Sequence, residues 1–175
     1  SGSVNSILVR PISFYHFYLG QFLGYKFFTG MLSLVVPFVA TLYFDLPIHF
    51  ERLPGVCLLS AFYLILLHTM SFLVASLAFF FNRVHSLTVA KNVILWLLSG
   101  ELFPLDILPE PAKSIAIHLP FASSGFLPVG YLIGRVDTPT FLSGFVSVAC
   151  GLVVFGLLSY TTWKKGSFQY TCQGA

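Results

Sequence analysis

The chain has 175 residues, of which 57% are hydrophobic and 9% are charged, and its net charge is +3. Soluble domains carry about 25% charged residues, so this composition excludes a protein with a fully water-facing surface. The mean hydropathy of +0.88 agrees. We predict an all-α integral membrane protein that contacts the lipid bilayer and no nucleic acid.

The first 26 residues are apolar and aromatic but too interrupted to span a membrane. Aromatic side chains recur there at roughly helical spacing: Phe14, Phe17, Tyr18 and Phe22. Arg10 and Pro11 precede them, and proline is common in the first turn of a helix. The pattern predicts a short helix along the membrane interface, and the alternative is a lead-in to the first span.

Four apolar stretches follow, and each is predicted to cross the membrane. They cover residues 27–44, 55–81, 87–98 and 141–163. Pro37 is predicted to kink the first span, and the second is longer than a bilayer requires. Lys164 and Lys165 end the last span, and a short polar tail follows.

Residues 99–135 are both apolar and broken. They contain five of the ten prolines: Pro104, Pro109, Pro111, Pro120 and Pro128. Because proline removes a backbone donor and clashes with the preceding helical turn, no straight transmembrane helix runs through this segment. Non-helical backbone survives in a membrane only where protein or a water-lined cavity covers it. We therefore predict short helices that enter one leaflet and return, as a re-entrant segment.

The charged residues sort onto two sides of the predicted spans. Segments 1–26, 82–91 and 164–175 contain six bases and no acid, whereas the segments between the other span ends contain all six acids. Lys and Arg in short loops stay cytoplasmic. Both ends of the chain are therefore predicted to be cytoplasmic, and residues 99–135 are predicted to face outward.

No motif for nucleotide, metal or covalent chemistry is evident. The sequence lacks GxxxxGK[ST], HExxH and GxSxG, and no cofactor, metal or catalytic site is predicted. The nearest approach to a nucleophile is Ser123 or Ser124, with His118 nearby. Serines beside a glycine more often cap the next helix, so an intramembrane serine hydrolase is the least favoured hypothesis.

Two ionisable residues carry functional hypotheses. His68 lies at the centre of the second span, where an ionisable residue suggests function by default. A neutral histidine packed between helices is the preferred interpretation, because no acid is predicted at its depth. Glu101 lies where the third span breaks. Two interpretations of this residue are equally favoured: it lines an exit path, or it belongs to a solvated rim of the membrane.

Several short runs share an order and spacing along nearly the whole chain. They are LVRPISFYHFYLG, SGELFPLDILPEP, LPF, FLPVGYLIGR and a last span that ends in WKKGSFQY. These runs resemble the C-terminal half of ABC-2 type transporter permeases, most of all the bacterial daunorubicin-type branch. Members of that family have six spans, and the four spans here align with the third to sixth. The resemblance implies an incomplete six-helix fold whose first two helices are absent or truncated.

The resemblance implies the membrane subunit of an ATP-driven exporter in a bacterial inner membrane. Two such subunits, identical or different, would face each other, and each would sit on a cytoplasmic ATPase subunit that binds the ATP. The segment that couples to the ATPase would include the following residues: Arg10, Pro11, Phe14, Phe17 and Tyr18. The outer gate and substrate path would include the following residues: Glu101, Phe103, Pro104, Pro120, Phe121 and Pro128.

A secondary carrier or channel without an ATPase is the alternative function, with His68 or Glu101 on the ion path. The substrate could be a drug, a lipid or a glycan, because the aromatic and uncharged spans do not select among these classes.

Overall fold

The computed structural model describes residues 13–44, 47–81 and 83–169, which form helices and connecting turns without a β-strand. The helices are α1 (Phe14–Ser33), α2 (Val35–Phe44), α3 (Leu53–Ser76), α4 (His85–Ser99), α5 (Glu110–His118), α6 (Phe126–Leu132) and α7 (Thr138–Gln169). Short 3₁₀ turns lie at Phe50–Arg52, Leu77–Phe79, Leu105–Ile107 and Pro120–Ser123. This is the all-α architecture that the composition predicts.

Three helical stretches in the described part are long and apolar enough to cross a membrane. They are Phe14–Thr41, Phe50–Phe79 and Thr138–Phe168. Helix α4, which corresponds to the third predicted span, has 15 residues and rises about 22 Å. That rise is shorter than the roughly 30 Å hydrocarbon core, so a fourth crossing stays a prediction.

Helix α1 runs without interruption through the predicted boundary between an interfacial helix and the first span. It begins after Ser13, whose hydroxyl accepts a hydrogen bond from the His16 backbone N–H at 3.3 Å, and it continues to Ser33. The predicted interfacial helix and the first part of the predicted first span therefore lie in one helix, and the rest of that span forms α2. Its break at Leu34 has a simple cause, because Pro37 has no N–H to donate to the carbonyl of Ser33.

Helices α3 and α7 pack side by side and run in the same direction. A Cβ at Gly144 would lie 3.3 Å from Leu59 Cδ2, and a Cβ at Gly151 would lie 3.2 Å from Leu66 Cδ2. The residue numbers on both helices rise together, as parallel helices require. Small residues let helix backbones approach closely in membranes. Leu59, Leu66 and Val148 are fully buried in this contact region.

Residues 110–132 form a helical hairpin beside α7, made of α5, the Pro120–Ser123 turn and α6. The turn is the tip of the hairpin, and Pro120 packs against Gly151 there. Gly151 lies thirteen residues after Thr138, which is about 20 Å along the helix. Farther on, the Tyr131 ring stacks on Phe141 with centroids 4.1 Å apart. The hairpin therefore extends about 20 Å along α7 and returns to its start, the course of a re-entrant segment.

The prolines and one glycine explain why this segment breaks where it does. Gly100 has a φ of +83° and ends α4, because a left-handed residue stops a helix at little cost only when it lacks a Cβ. Pro111 lies in the first turn of α5 and Pro120 in the first turn of the tip. Proline is tolerated at such positions, since the missing N–H would have no helical partner.

Candidate functional site

The end of the helix bundle at which α7 begins, called here the Thr138 end, carries an ion-pair cluster. The Asp106 carboxylate lies 3.1 Å from Lys113 Nζ and 2.5 Å from Arg135 Nη2. The hydrogen bond from Lys113, and then that from Arg135, lowers the pKa of the Asp106 carboxyl below its ordinary value. The cluster joins the turn after α4, helix α5 and the loop before α7, so it closes the base of the hairpin.

A second polar attachment at the Thr138 end joins the hairpin to the start of α3. Arg52 Nη1 donates a hydrogen bond to the Tyr131 carbonyl oxygen at 2.7 Å, and its guanidinium lies 4.7 Å from the centroid of the Tyr131 ring. The His49 N–H donates to the Leu132 carbonyl oxygen at 3.0 Å. No local pattern marks Arg52, because its contact is with a residue 79 positions away in the sequence.

The six predicted gate residues lie in three different places. Pro120 and Phe121 are half-buried at the tip of the hairpin, and Pro128 is buried in α6. Phe103 and Pro104 are exposed and line an apolar cavity of about 440 Å³ beside α4 and α5. Glu101 lines a cavity of about 470 Å³ together with Pro104, and it also lines a second, polar cavity that contains none of the other five.

The polar cavity has a volume of about 370 Å³ and lies between α1, α3, α4 and the hairpin. Its polar lining includes Lys26, Ser60, Tyr63, Asn92, Glu101 and Ser124. Ser124 Oγ donates a hydrogen bond to Glu101 Oε1 at 2.8 Å. Lys26 was assigned by charge sorting to the segment before the first span, yet it lines this cavity together with Leu64 from the middle of α3. The uninterrupted course of α1 is what carries it there.

A family model described as ABC-2 family transporter protein matches residues 1–174. The chain belongs to the ABC-2 transporter family. It is a permease subunit of an ABC transporter and a multi-pass membrane protein, as the resemblance in its sequence runs predicts. No curated protein and no solved structure matches the chain.

The end of this ABC-2 permease opposite the Thr138 end, called here the Trp163 end, is built from aromatic side chains. Phe14 stacks on Trp163 with ring centroids 4.8 Å apart, and it contacts Tyr18 at 4.6 Å. Phe14 and Phe17 are half-buried and Tyr18 is exposed. The other two predicted coupling residues, Arg10 and Pro11, lie outside the described residues. Phe14 also contacts Phe72 of α3, so the start of α1 contacts both other long helices.

His68 lies in the same aromatic region of the permease. It is 6% exposed, and its ring contacts the rings of Tyr15, Phe22 and Phe72. Its Nε2 has no hydrogen-bond partner among the described residues. The Tyr15 hydroxyl forms a hydrogen bond with Thr69 Oγ1 at 2.8 Å instead. This environment is that of a packed histidine, and its role stays a prediction.

The geometry around Ser123 and Ser124 gives neither serine a histidine base. Ser123 is fully buried, and its Oγ has no hydrogen-bond partner in the described part of the permease. His118 is exposed, and its Nδ1 is hydrogen-bonded to the Ser114 carbonyl oxygen at 2.8 Å. Ser124 donates to Glu101. A serine nucleophile needs a base within hydrogen-bond reach, so these contacts favour structural roles for both serines.

Proposed function

We propose that this permease exports an amphipathic or apolar substrate from the cytoplasm, driven by ATP hydrolysis in a separate ATPase subunit. The observation that carries the proposal is the hairpin, whose tip packs about 20 Å along α7 against Gly151. A broken segment at that depth suits a gate, because a short hairpin can pivot about its packed tip while the long helices stay in place. The predicted outward position of its base gives the direction of export.

The gate would open by release of the polar contacts at the Thr138 end. Two attachments hold the hairpin there, the Asp106 cluster and the Arg52 contact with Tyr131. Arg135 and Asp106 are both exposed, and exposed ion pairs form and break at little cost in free energy. Packed interfaces tend to have discrete arrangements rather than continuous ones, which suits an open and a closed state.

The Trp163 end would receive the signal from the ATPase. Phe14 contacts both Phe72 of α3 and Trp163 of α7, so a force on the segment before α1 reaches both helices. The chain has no GxxxxGK[ST] motif of its own. In this proposal the ATPase binds the ATP and docks at this end, in a bacterial inner membrane with both ends of the chain cytoplasmic.

A second permease subunit, identical or different, would pack on the face that α1 and α2 leave open. None of the side chains of α1 is buried, and large apolar residues on it are well exposed. The most exposed of them are Tyr25, Phe28 and Leu32. In the proposed assembly the subunit partner and lipid share this surface.

Co-purification of the full-length protein tests the ATPase partner. A P-loop ATPase is expected to elute with the permease, and Arg10→Glu should reduce its recovery at least several-fold while membrane insertion is retained. Glu110→Lys, a charge reversal at an exposed acid in the first turn of α5, is the control, because the Thr138 end is predicted to face away from the ATPase. Transport by the purified permease with no ATPase present would contradict the proposal and favour a secondary carrier.

A further inference from the structure

The polar cavity contains two opposite charges, and one of them, Lys26, lies within a helical stretch that is long and apolar enough to cross a membrane. Lys26 lies twelve residues after the start of α1 and lines the cavity together with Leu64 and Leu67, near the middle of α3. Ionisable residues inside a membrane are rare, face protein or water, and mark substrate or ion pathways. Glu101 lines the same cavity from the turn after α4.

Neither charge has an ionic partner among the described residues. The Lys26 ammonium lies 5.8 Å from the centroid of the Phe22 ring, and Glu101 accepts one hydrogen bond, from Ser124. Lys91 differs in its hydrogen bonding, because its ammonium donates to Ser71 Oγ at 2.8 Å, whereas the Lys26 ammonium has no such bond within the described part of the chain. The cavity thus presents a cation and an anion that are both free to bind a ligand.

The rest of the lining suits an amphiphile. Hydroxyl and amide groups of Ser60, Tyr63 and Asn92 line the cavity with the two charges, while Leu64, Leu67 and Trp96 supply apolar surface. The volume of about 370 Å³ lies near the lower end of the roughly 300–1,000 Å³ typical of ligand pockets. Such a space suits a head group whose hydrocarbon chain extends beyond it.

We propose that this cavity binds the head group of a zwitterionic amphiphile. The anionic group of the ligand would lie at Lys26 and its cationic group at Glu101, with the hydrocarbon chain along Leu64 and Leu67. The ligand would be the substrate of the proposed export. Only the claim that the bound ligand is transported rests on that proposed function; the claim that it binds does not. Complementary charge in a site of low dielectric gives selectivity against ligands with one charge alone.

Native mass spectrometry of the purified full-length protein in maltoside micelles tests the binding. The probes are lysophosphatidylcholine and lysophosphatidylglycerol of equal chain length. Both carry a phosphate, but choline makes the first zwitterionic, whereas glycerol leaves the second with a net negative charge. We expect lysophosphatidylcholine to bind with a Kd at least tenfold lower. Glycerophosphocholine, the same head group without a chain, should bind far more weakly.

Charge-removing variants test the two residues. Lys26→Gln and Glu101→Gln should each raise the Kd for lysophosphatidylcholine about tenfold, and Lys26→Arg should retain binding. Lys164→Gln and Glu110→Gln, which remove exposed charges outside the cavity, should leave the Kd unchanged. Gel filtration shows which variants remain folded.

Three results would overturn the proposal. Equal Kd values for the two lysolipids would remove the zwitterion preference, and tight binding of glycerophosphocholine would remove the need for a chain. If the single variants aggregate and the double variant Lys26→Gln/Glu101→Gln elutes normally, the two residues only neutralise each other. No ATPase and no transport enter this measurement, so its failure is distinct from a failure to co-purify an ATPase.

Discussion

At the Thr138 end, the hairpin is tied to its neighbours by charged side chains, whereas at its tip it is held by close packing against α7. The Asp106 cluster and the Arg52 contact can break and re-form, because their partners are partly exposed to solvent. The tip has no such freedom, since Pro120 fits against a glycine on α7. In the proposed gate, the tip therefore sets the position of the hairpin, and the polar contacts at the Thr138 end are the ones that release.

Leu127→Ala tests the close packing of the hairpin against α7, and we expect it to have the largest effect. Leu127 is fully buried in α6 beside Gly144, so truncation leaves a cavity. We expect the free energy of unfolding, measured by SDS titration in maltoside micelles, to fall by about 2–4 kcal/mol. Val129→Ala, at an exposed position of the same helix, should cost much less. Equal effects would show that the hairpin is not packed against α7 as described.

Added volume at the α7 surface should have the next largest effect. A Cβ at Gly144 would lie 2.8 Å from Leu127 Cδ1, so Gly144→Leu forces the hairpin away from α7. The expected loss in the same titration is about 1–3 kcal/mol. Gly156→Leu on the same helix is the control, because a Cβ there meets nothing within 4 Å. If Gly144→Leu leaves the free energy of unfolding unchanged, the close contact between the hairpin and α7 is contradicted.

The polar attachment at Arg52 should contribute less. Arg52→Lys keeps the charge but loses the planar group that lies over the Tyr131 ring and donates to the Tyr131 carbonyl oxygen. We expect the unfolding free energy to fall by about 1–2 kcal/mol. The same exchange at Arg83, which is exposed, should be close to neutral. Proteolysis of the hairpin should accelerate in Arg52→Lys if this contact holds it closed.

The smallest effect is expected at Asp106, whose ion pairs are partly exposed. Asp106→Asn should lower the free energy of unfolding by less than about 1 kcal/mol at neutral pH. Glu110 is an exposed acid in the first turn of α5, and Glu110→Gln should lower it still less.

The pH dependence at Asp106 follows from its lowered pKa. A carboxyl with a lower pKa in the folded state stabilises the fold above its unfolded pKa, which is about 3.9. That contribution is lost as the pH falls through the folded value. The stability difference between wild type and Asp106→Asn should therefore shrink as the pH falls below about 4, and a difference that stays constant would exclude this ion-pair cluster as its cause.

Several features were predictable from the sequence because they depend on local composition. A chain with so many hydrophobic and so few charged residues must lie in a lipid bilayer. The prolines of residues 99–135 exclude a straight helix through that segment. The position of Glu101 at the end of the third apolar stretch was equally visible. No helix boundary lies at residue 27, where one was predicted, because α1 has no proline or cap there and runs without a break from the Ser13 cap to Ser33.

Only the tertiary structure decided which residues that are distant in the sequence lie close together. Lys26 and Glu101 are 75 positions apart in the sequence, and they line one cavity only because α1 lies against the middle of α3. Likewise, the depth of the hairpin depends on which glycine of α7 receives Pro120. Hydrophobicity and helix breakers act on neighbouring residues and can be recognised in a single sequence. Contacts between distant segments depend on shape complementarity between helices, and no local pattern encodes that.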